Sequence, residues 1–311
     1  MRSVDSTAQT LDAVQLPHFD STNGSLAQNF CSWMSRIRNP DTTSVADLVI
    51  PGTHDSFALY GGIVYNCQSK TCQQQLEGGI RYFDPRPRNY GDGSLPLHHG
   101  PIFMQTNLSE ILQCIDTFLK DHPTEFVFLR IKEEFEPAIM SNPVLFDLTV
   151  HETFQPFISS GRLWKSQHIP TVSQARGKMI VLQNYTSDHY NIGYPFSSTD
   201  IQDDFIVPTL LENDVGSKWT AIVNHLEKSK ISRQSNSTNY FVNHISGKGP
   251  DARPGELAMV LNERLLTYLE LTSSVDKQCG IVIMDFPGSS LLCRLIEMNE
   301  LNVAVDQVET V

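Results

Sequence analysis

Short apolar runs alternate along this chain with segments of helical period, and each run ends in a polar, reactive side chain. Leu48-Val49-Ile50 is stopped by Pro51-Gly52, with His54 and Asp55 just beyond. Ile80 to Phe83 leads to Asp84 and Arg86. Leu108, Ile111, Leu112, Ile115, Phe118 and Leu119 recur at helical spacing until Pro123, and Phe126 to Ile131 then runs into Lys132. The order repeats with Lys178 to Leu182. It repeats again with Leu257, Val260, Leu261, Leu265 and Tyr268 before the strand Ile281-Val282-Ile283 and Asp285.

Strands separated by helical crossovers predict a parallel sheet. Reactive residues at the carboxyl ends of buried strands favour a (β/α)8 barrel over an open doubly wound sheet, and no glycine-rich fingerprint follows the first strand. The first 28 residues, polar and without period, read as a flexible tail, with residues 29–311 forming one α/β domain. Thr186 to Ser237 is the least regular stretch and is expected to carry long loops rather than a second domain.

Composition adds limits. Of 311 residues, 40% are hydrophobic and 19% charged, which suits a self-folding globular chain, and the net charge of -12 argues against nucleic acid as a partner. It also argues against electrostatic attachment to acidic membranes, so any membrane contact should be apolar. No run is long enough to span a bilayer, and the first 17 residues lack a basic head with an apolar centre, so no secretory signal is visible. Six cysteines are too sparse for a disulfide scaffold; Cys67 and Cys72 are spaced for one local bridge. No C-x-x-C or H-x-x-x-H pair points to zinc. Sequons at Asn23, Asn107, Asn184 and Asn236 fit export and also arise by chance.

Two histidines on separate strand ends, each near an acid, suit internal attack on a phosphodiester, one taking a hydroxyl proton and the other protonating the leaving alkoxide. His54 lies in the turn Pro51-Gly52-Thr53-His54-Asp55-Ser56 and His99 in Leu97-His98-His99-Gly100-Pro101. Successive strand residues face opposite ways, so only one of His98 and His99 can enter the site. The other seven histidines read as ordinary core or surface residues. Arg86, held by Asp84, offers a fixed cation for a phosphorane, and a structural Asp-Arg pair is the plain alternative. Lys132 and Asp285 sit where a barrel interior does not bury unpaired charge. Phe57, Leu59, Tyr60, Ile63, Val64 and Tyr65 suit either insertion at a lipid interface or packing on the barrel, with Tyr240 and Phe241 a weaker candidate for insertion.

From about Phe30 to Asp285 these residues resemble the bacterial-type phosphatidylinositol-specific phospholipases C. The strongest matches are Ile50 to Ser56, Phe83-Asp84-x-Arg86, Leu97 to Pro101, and Leu108 to Phe135. The resemblance implies a distorted TIM barrel and a metal-independent phosphodiesterase without a cofactor. It implies that His54, supported by Asp285, is the general base on the inositol 2-hydroxyl. Arg86 would stabilise the phosphorane, and His99, supported by Asp55, would be the general acid. Lys132 and Asp203 would bind the inositol ring, with Asp84, Phe205 and Asn184 at substrate-facing positions. Asn184 stands where the family has an arginine, and Phe205 where it has a tyrosine. Relatives that need calcium carry an acid at the position of Arg86. The resemblance further implies an extracellular monomer acting on inositol phospholipid at a membrane surface. A metal-dependent glycerophosphodiesterase and a non-catalytic inositol-lipid-binding module are the other readings.

Overall fold

The computed structural model describes Phe19 and residues 30–134, 145–234, 239–271 and 279–299. The tail expected over 1–28 lies outside the described residues except for Phe19, whose ring packs 5.6 Å from that of Phe286.

Eight parallel strands form one curled sheet: β1 (Ile50–Thr53), β2 (Tyr82–Phe83), β5 (Val127–Ile131), β6 (Met179–Gln183), β7 (Tyr194–Pro195), β8 (Asp200–Gln202), β9 (Phe241–His244) and β10 (Ile281–Met284). Their order is β7-β6-β5-β2-β1-β10-β9-β8, while β3 (Pro96–His99) and β4 (Ile102–Asn107) make a separate antiparallel hairpin. Helices α1 (Cys72–Glu77), α2 (Leu108–Asp121), α3 (Phe146–Ser159), α4 (Val172–Ala175), α5 (Glu212–Gln234) and α6 (Pro254–Leu271) lie in the connections between strands, and α7 (Ser289–Glu297) follows the last strand. This is a distorted (β/α)8 barrel. The distortion has two sources: no α-helix separates β6, β7 and β8, with only a 3-10 turn at Phe196–Ser198 between the last two, and β7 and β8, adjacent in sequence, share no ladder.

The period of two along each strand sorts the side chains. Ile50, Tyr82, Phe128, Ile180, Leu182, Val242, Ile281 and Ile283 belong to the inner cluster, closed below by Trp33, Met34 and Phe126. Val49, Phe83, Val127, Leu129, Val181, Val282 and Met284 pack outward against helical residues such as Leu112, Ile115, Leu261 and Leu295. Below the barrel, Arg81 and Glu125 form a fully buried ion pair at 2.8 Å. Arg81 also donates to the carbonyls of Leu76, Ile80, Phe30 and Cys31, so its guanidinium is saturated.

The structure departs from the sequence reading in four places. The first strand does not stop at Pro51-Gly52 but runs through them to Thr53. Pro51 still accepts from the Arg81 amide at 2.9 Å, and Gly52 lets β1 and β2 approach, since a Cβ there would stand 2.9 Å from that of Tyr82. The stretch expected to be loops contains α5, a helix of 23 residues. It buries Val215, Ile222 and Leu226 against the sheet, with Trp219 half-buried beside them. Cys67 and Cys72 are free thiols that face different ways: Cys67 borders the site cavity, whereas Cys72 is hydrogen-bonded to Cys114 of α2. Tyr240 and Phe241 are buried and present no surface to a lipid.

Candidate active site

Following the inward register to the carboxyl end of each strand, and a step or two beyond, gives the site. His54 follows Ile50 and Gly52; Asp84 and Arg86 follow Tyr82; Arg130 and Lys132 follow Phe128. His244 follows Val242, and Asp285 follows Ile283. A cavity of about 200 Å³ at this end is lined by His54, Arg86, His99, Lys132, Asp203 and Phe205, together with Cys67, Glu134 and Lys248.

The turn after β1 is fixed by its own residues. Asp55 takes a left-handed backbone (φ 42°), rare for a residue with a side chain. Its amide donates to Asp84 Oδ2 at 3.1 Å and its carbonyl accepts from Ala58 at 2.8 Å. Beneath it, Ser56 Oγ accepts from Thr53 Oγ1 at 2.8 Å and from the Asp84 amide at 2.7 Å. Gln68 of the following loop donates to the carbonyls of His54 and Met284, tying the ends of β1 and β10 together. His54 is thereby held beside Asp285, itself supported by Asn262 of α6, whose amide donates to the Asp285 carbonyl.

His54 Nδ1 lies 2.9 Å from Asp285 Oδ1, and Nε2 lies 2.9 Å from Arg86 Nη2. A guanidinium only donates, so Nε2 carries the lone pair and Nδ1 the hydrogen. Burial, then the Arg86 charge, pushes the His54 imidazole well below its ordinary value, while burial pushes the Asp285 carboxyl well above its own. The resting imidazole is neutral.

Arg86 joins this dyad to a second one. Its Nη1 lies 3.1 Å from Asp55 Oδ2, and Asp55 Oδ2 lies 3.5 Å from His99 Nδ1. Asp84 holds Nη2 at 3.1 Å, and Glu134 stands 3.7 Å from Nη1. Burial opposes the guanidinium charge, but Asp55, Asp84 and Glu134 outweigh it and raise Arg86 well above the ordinary arginine value. Burial is also the main reason the Asp55 carboxyl rises to about 6. His99 Nδ1 lies 2.7 Å from the Tyr65 carbonyl, which leaves Nε2 as the ring nitrogen available to the cavity. Glu134 accepts from the Gly100 amide at 2.9 Å, fastening the β3–β4 hairpin to the end of β5. His98, one residue earlier, points the other way to Tyr90, 3.0 Å from its Nε2.

Asp84 and Asn184 are placed differently from the cavity residues. Asp84 is fully buried behind Arg86, with Arg130 Nη1 3.3 Å from its second oxygen. Burial alone would raise its carboxyl, yet Arg86 and Arg130 hold it well below the usual range. It therefore orients cations rather than touching a ligand. Asn184 accepts from Arg130 Nε at 2.9 Å and does not line the cavity. Lys132 does line it, and its ammonium is lowered by burial and by Arg86 and Arg130. Asp203 is raised, chiefly by burial, and lies 3.8 Å from His244 Nδ1.

Sequence reasoning missed Arg130, His244 and Lys218. Arg130 shares the inward face of β5 with Phe128 and Lys132, and its guanidinium stacks 4.4 Å over the Phe196 ring. His244, read as an ordinary core residue, stands with its ring 6.0 Å from that of His54. Lys218, buried on α5, donates to the His244 carbonyl at 2.6 Å, and burial brings its ammonium down to about 8.

Fold and site define a parallel α/β barrel with a paired His-Asp acid-base centre about a fixed guanidinium. Comparison with known proteins narrows this class. The model of the phosphatidylinositol-specific phospholipase C X domain matches residues 46–185. A 1-phosphatidylinositol phosphodiesterase of Listeria monocytogenes is 33% identical over 290 residues, covering 87% of this chain and 85% of that one. The solved phosphatidylinositol-specific phospholipase C from Listeria monocytogenes superposes with a TM-score of 0.70 at 30% identity, over 88% of this chain and all of the other. A Staphylococcus aureus structure of the same name gives 0.75 at 20% identity, covering 89% and 100%, and shares the fold. The chain belongs to the bacterial phosphatidylinositol-specific phospholipase C family.

Proposed function

We propose that this protein is a metal-independent phosphodiesterase that cleaves phosphatidylinositol to diacylglycerol and inositol 1,2-cyclic phosphate. The observation that carries the reading is one guanidinium bridging two His-Asp dyads at the wall of a ring-sized cavity. His54 Nε2 removes the proton of the inositol 2-hydroxyl, and the oxygen attacks phosphorus. Asp285 stabilises the imidazolium that forms. Arg86 meets the charge that grows on the phosphoryl oxygens, already oriented by Asp84 and Asp55. His99 Nε2 delivers a proton to the departing diacylglycerol oxygen, with Asp55 and the Tyr65 carbonyl holding its far side.

Lys132 and Asp203 face the cavity from β5 and β8 and suit the ring hydroxyls as donor and acceptor, and Phe205 offers a flat apolar surface beside them. Arg86 supplies a fixed cation among the acids Asp55, Asp84 and Glu134. Two exposed apolar stretches flank the mouth. Tyr60, Ile63 (65% exposed) and Val64 lie on the segment leading to Tyr65, and Phe205, Ile206 (71% exposed), Leu210 and Leu211 follow β8. In a chain of net charge -12 these are the groups suited to enter a lipid surface. Among the described residues no helix is long and apolar enough to cross a membrane.

The test is phosphorus NMR of phosphatidylinositol vesicles treated with the protein in EDTA. A cyclic phosphodiester product is expected. Cleavage that appears only when calcium or magnesium is restored would overturn the reading.

A further inference from the structure

Cys67 lies at the junction of the two dyads, a position that the acid-base chemistry leaves unused. Its backbone is pinned on both sides, the amide donating to the Ala58 carbonyl at 3.0 Å and the carbonyl accepting from Phe286 at 3.1 Å. The thiol borders the cavity. Its Sγ stands 3.9 Å from His99 Nδ1 and 3.8 Å from the Tyr65 carbonyl oxygen.

Asp55 Oδ2 closes the cluster 3.5 Å from His99 Nδ1. It is buried with an ion-pair neighbour in Arg86 but without a hydrogen bond of its own. The donor atoms of Asp55, Cys67 and His99 all fall within 4.8 Å of one another. A tetrahedral zinc with bonds of about 2.0 Å to nitrogen and oxygen and about 2.3 Å to sulfur has edges of roughly 3.3 and 3.5 Å. The 3.9, 3.8 and 3.5 Å separations approach those edges, while the Tyr65 carbonyl, now 2.7 Å from His99 Nδ1 as its hydrogen-bond acceptor, moves back once that hydrogen leaves Nδ1. A Cys-His-Asp set with one carbonyl is chemistry that zinc and cadmium accept.

We propose that Cys67, Asp55, His99 and the Tyr65 carbonyl form an inhibitory site for a thiophilic divalent cation such as zinc. Binding exchanges the thiol proton for the metal, M²⁺ + RSH → RS–M⁺ + H⁺, and uses the His99 tautomer with hydrogen on Nε2. Arg86 keeps Asp84 and Glu134 as partners when Asp55 turns to the cation. With Nδ1 ligated, His99 no longer shuttles the proton of the leaving group, so loading the site stops turnover; this last step rests on the function proposed above. A second set, His54, Cys67 and Asp285, shares the same sulfur. It is less suited, because Arg86 donates to Nε2 of His54 and so keeps the hydrogen on Nδ1, whereas His99 Nε2 faces the cavity and can take the hydrogen that Nδ1 gives up.

The test titrates the EDTA-stripped, dialysed full chain with zinc against a chromogenic indicator, and with cadmium by its thiolate charge-transfer absorbance. One equivalent is expected to bind tightly with release of a proton. Loss of an outer hydrogen-bond partner alone costs metal sites on the order of 10- to 100-fold. Cys67→Ser and His99→Gln should each weaken binding by at least that much, and Cys67→Ala serves if the serine variant loses its near-ultraviolet dichroism. Zinc should also inhibit lipid cleavage by the wild type far more than by Cys67→Ser, each measured against its own rate in EDTA. Unchanged zinc affinity and cadmium absorbance in both cysteine variants would overturn the site. Loss of binding in His54→Gln but not in His99→Gln would overturn its placement. Should the wild type cleave no phosphatidylinositol, the function reading fails, and the binding titrations still decide the site.

Discussion

Arg86 Nη2 approaches His54 Nε2 at 2.9 Å, so the cation proposed to meet the phosphate also fixes the tautomer of the proposed base. His54→Ala and His99→Ala should each lower the rate of phosphatidylinositol cleavage by about 10²- to 10⁴-fold, the usual worth of a positioned acid or base. Initial rates by phosphorus NMR check this, with far-ultraviolet dichroism to verify folding. A retained rate in either variant would remove that residue from the mechanism.

Arg86→Lys tests the same contact by geometry. A lysine keeps the charge but has no fork to span His54, Asp84 and Asp55 together. The expected result is a fall in kcat of at least about 10²-fold, comparable with loss of an oxyanion donor, and little change in KM. A lysine variant near wild-type activity would show that charge alone suffices.

The pH profile should carry the mark of Asp55, whose carboxyl is raised to about 6. As pH falls through that value Asp55 takes up a proton and ceases to support either His99 or Arg86, so kcat/KM should decline below about pH 6. His54, displaced well below 6.5, remains an unprotonated base in that window. Asp55→Asn should lower the plateau and remove the decline near pH 6. A profile of unchanged shape in that variant would assign the limb to another group.

The Arg81–Glu125 pair predicts a stability effect separate from catalysis. Arg81→Ala leaves the Glu125 carboxylate buried without its cation, a loss of about 3–5 kcal/mol. Urea unfolding should show that drop, while the activity of the protein that remains folded stays near wild type. A midpoint unchanged by the substitution would mean that the barrel floor relaxes around the gap.

Ile63 and Val64 should matter only where there is a bilayer. Burying exposed aliphatic side chains is worth about 1.5–3 kcal/mol each when complete, so Ile63→Ser with Val64→Ser should weaken vesicle binding by at least about tenfold. Cleavage of a water-soluble inositol phosphodiester should not change. An equal loss on both substrates would place these residues in the site rather than on the membrane-facing rim.

Much of the barrel was legible because inward residues repeat every second position and reactive ones close each run, as Ile50-x-Gly52-x-His54 and Phe128-x-Arg130-x-Lys132 do. The same rule would have found Arg130 and His244; both were passed over because a charged or imidazole residue inside a strand reads first as a core exception. Helix α5 was obscured by its many polar residues, although Val215, Trp219, Ile222 and Leu226 follow the helical period. The fate of Cys67 could not be read at all. Nearness to Cys72 in sequence carries no information about which way each thiol turns, and His99 reaches Cys67 only through the hairpin after β2. Asn184 likewise reads as exposed to substrate until its hydrogen bond to Arg130 is seen.

The missing ladder between β7 and β8 makes the ring of strands a clasp rather than a hoop. Asp203 and Phe205 follow β8, whose one ladder is with β9, and the Phe205 carbonyl accepts from the Lys248 amide at 2.8 Å, so that wall of the cavity is tied on its β9 side and open on its β7 side. A headgroup bulkier than a bare inositol ring would press on this wall first. To make room there, β8 would have to shift against both α5, whose Lys218 donates to Gln202, and Lys248, which holds Phe205 and Val207 by their backbones.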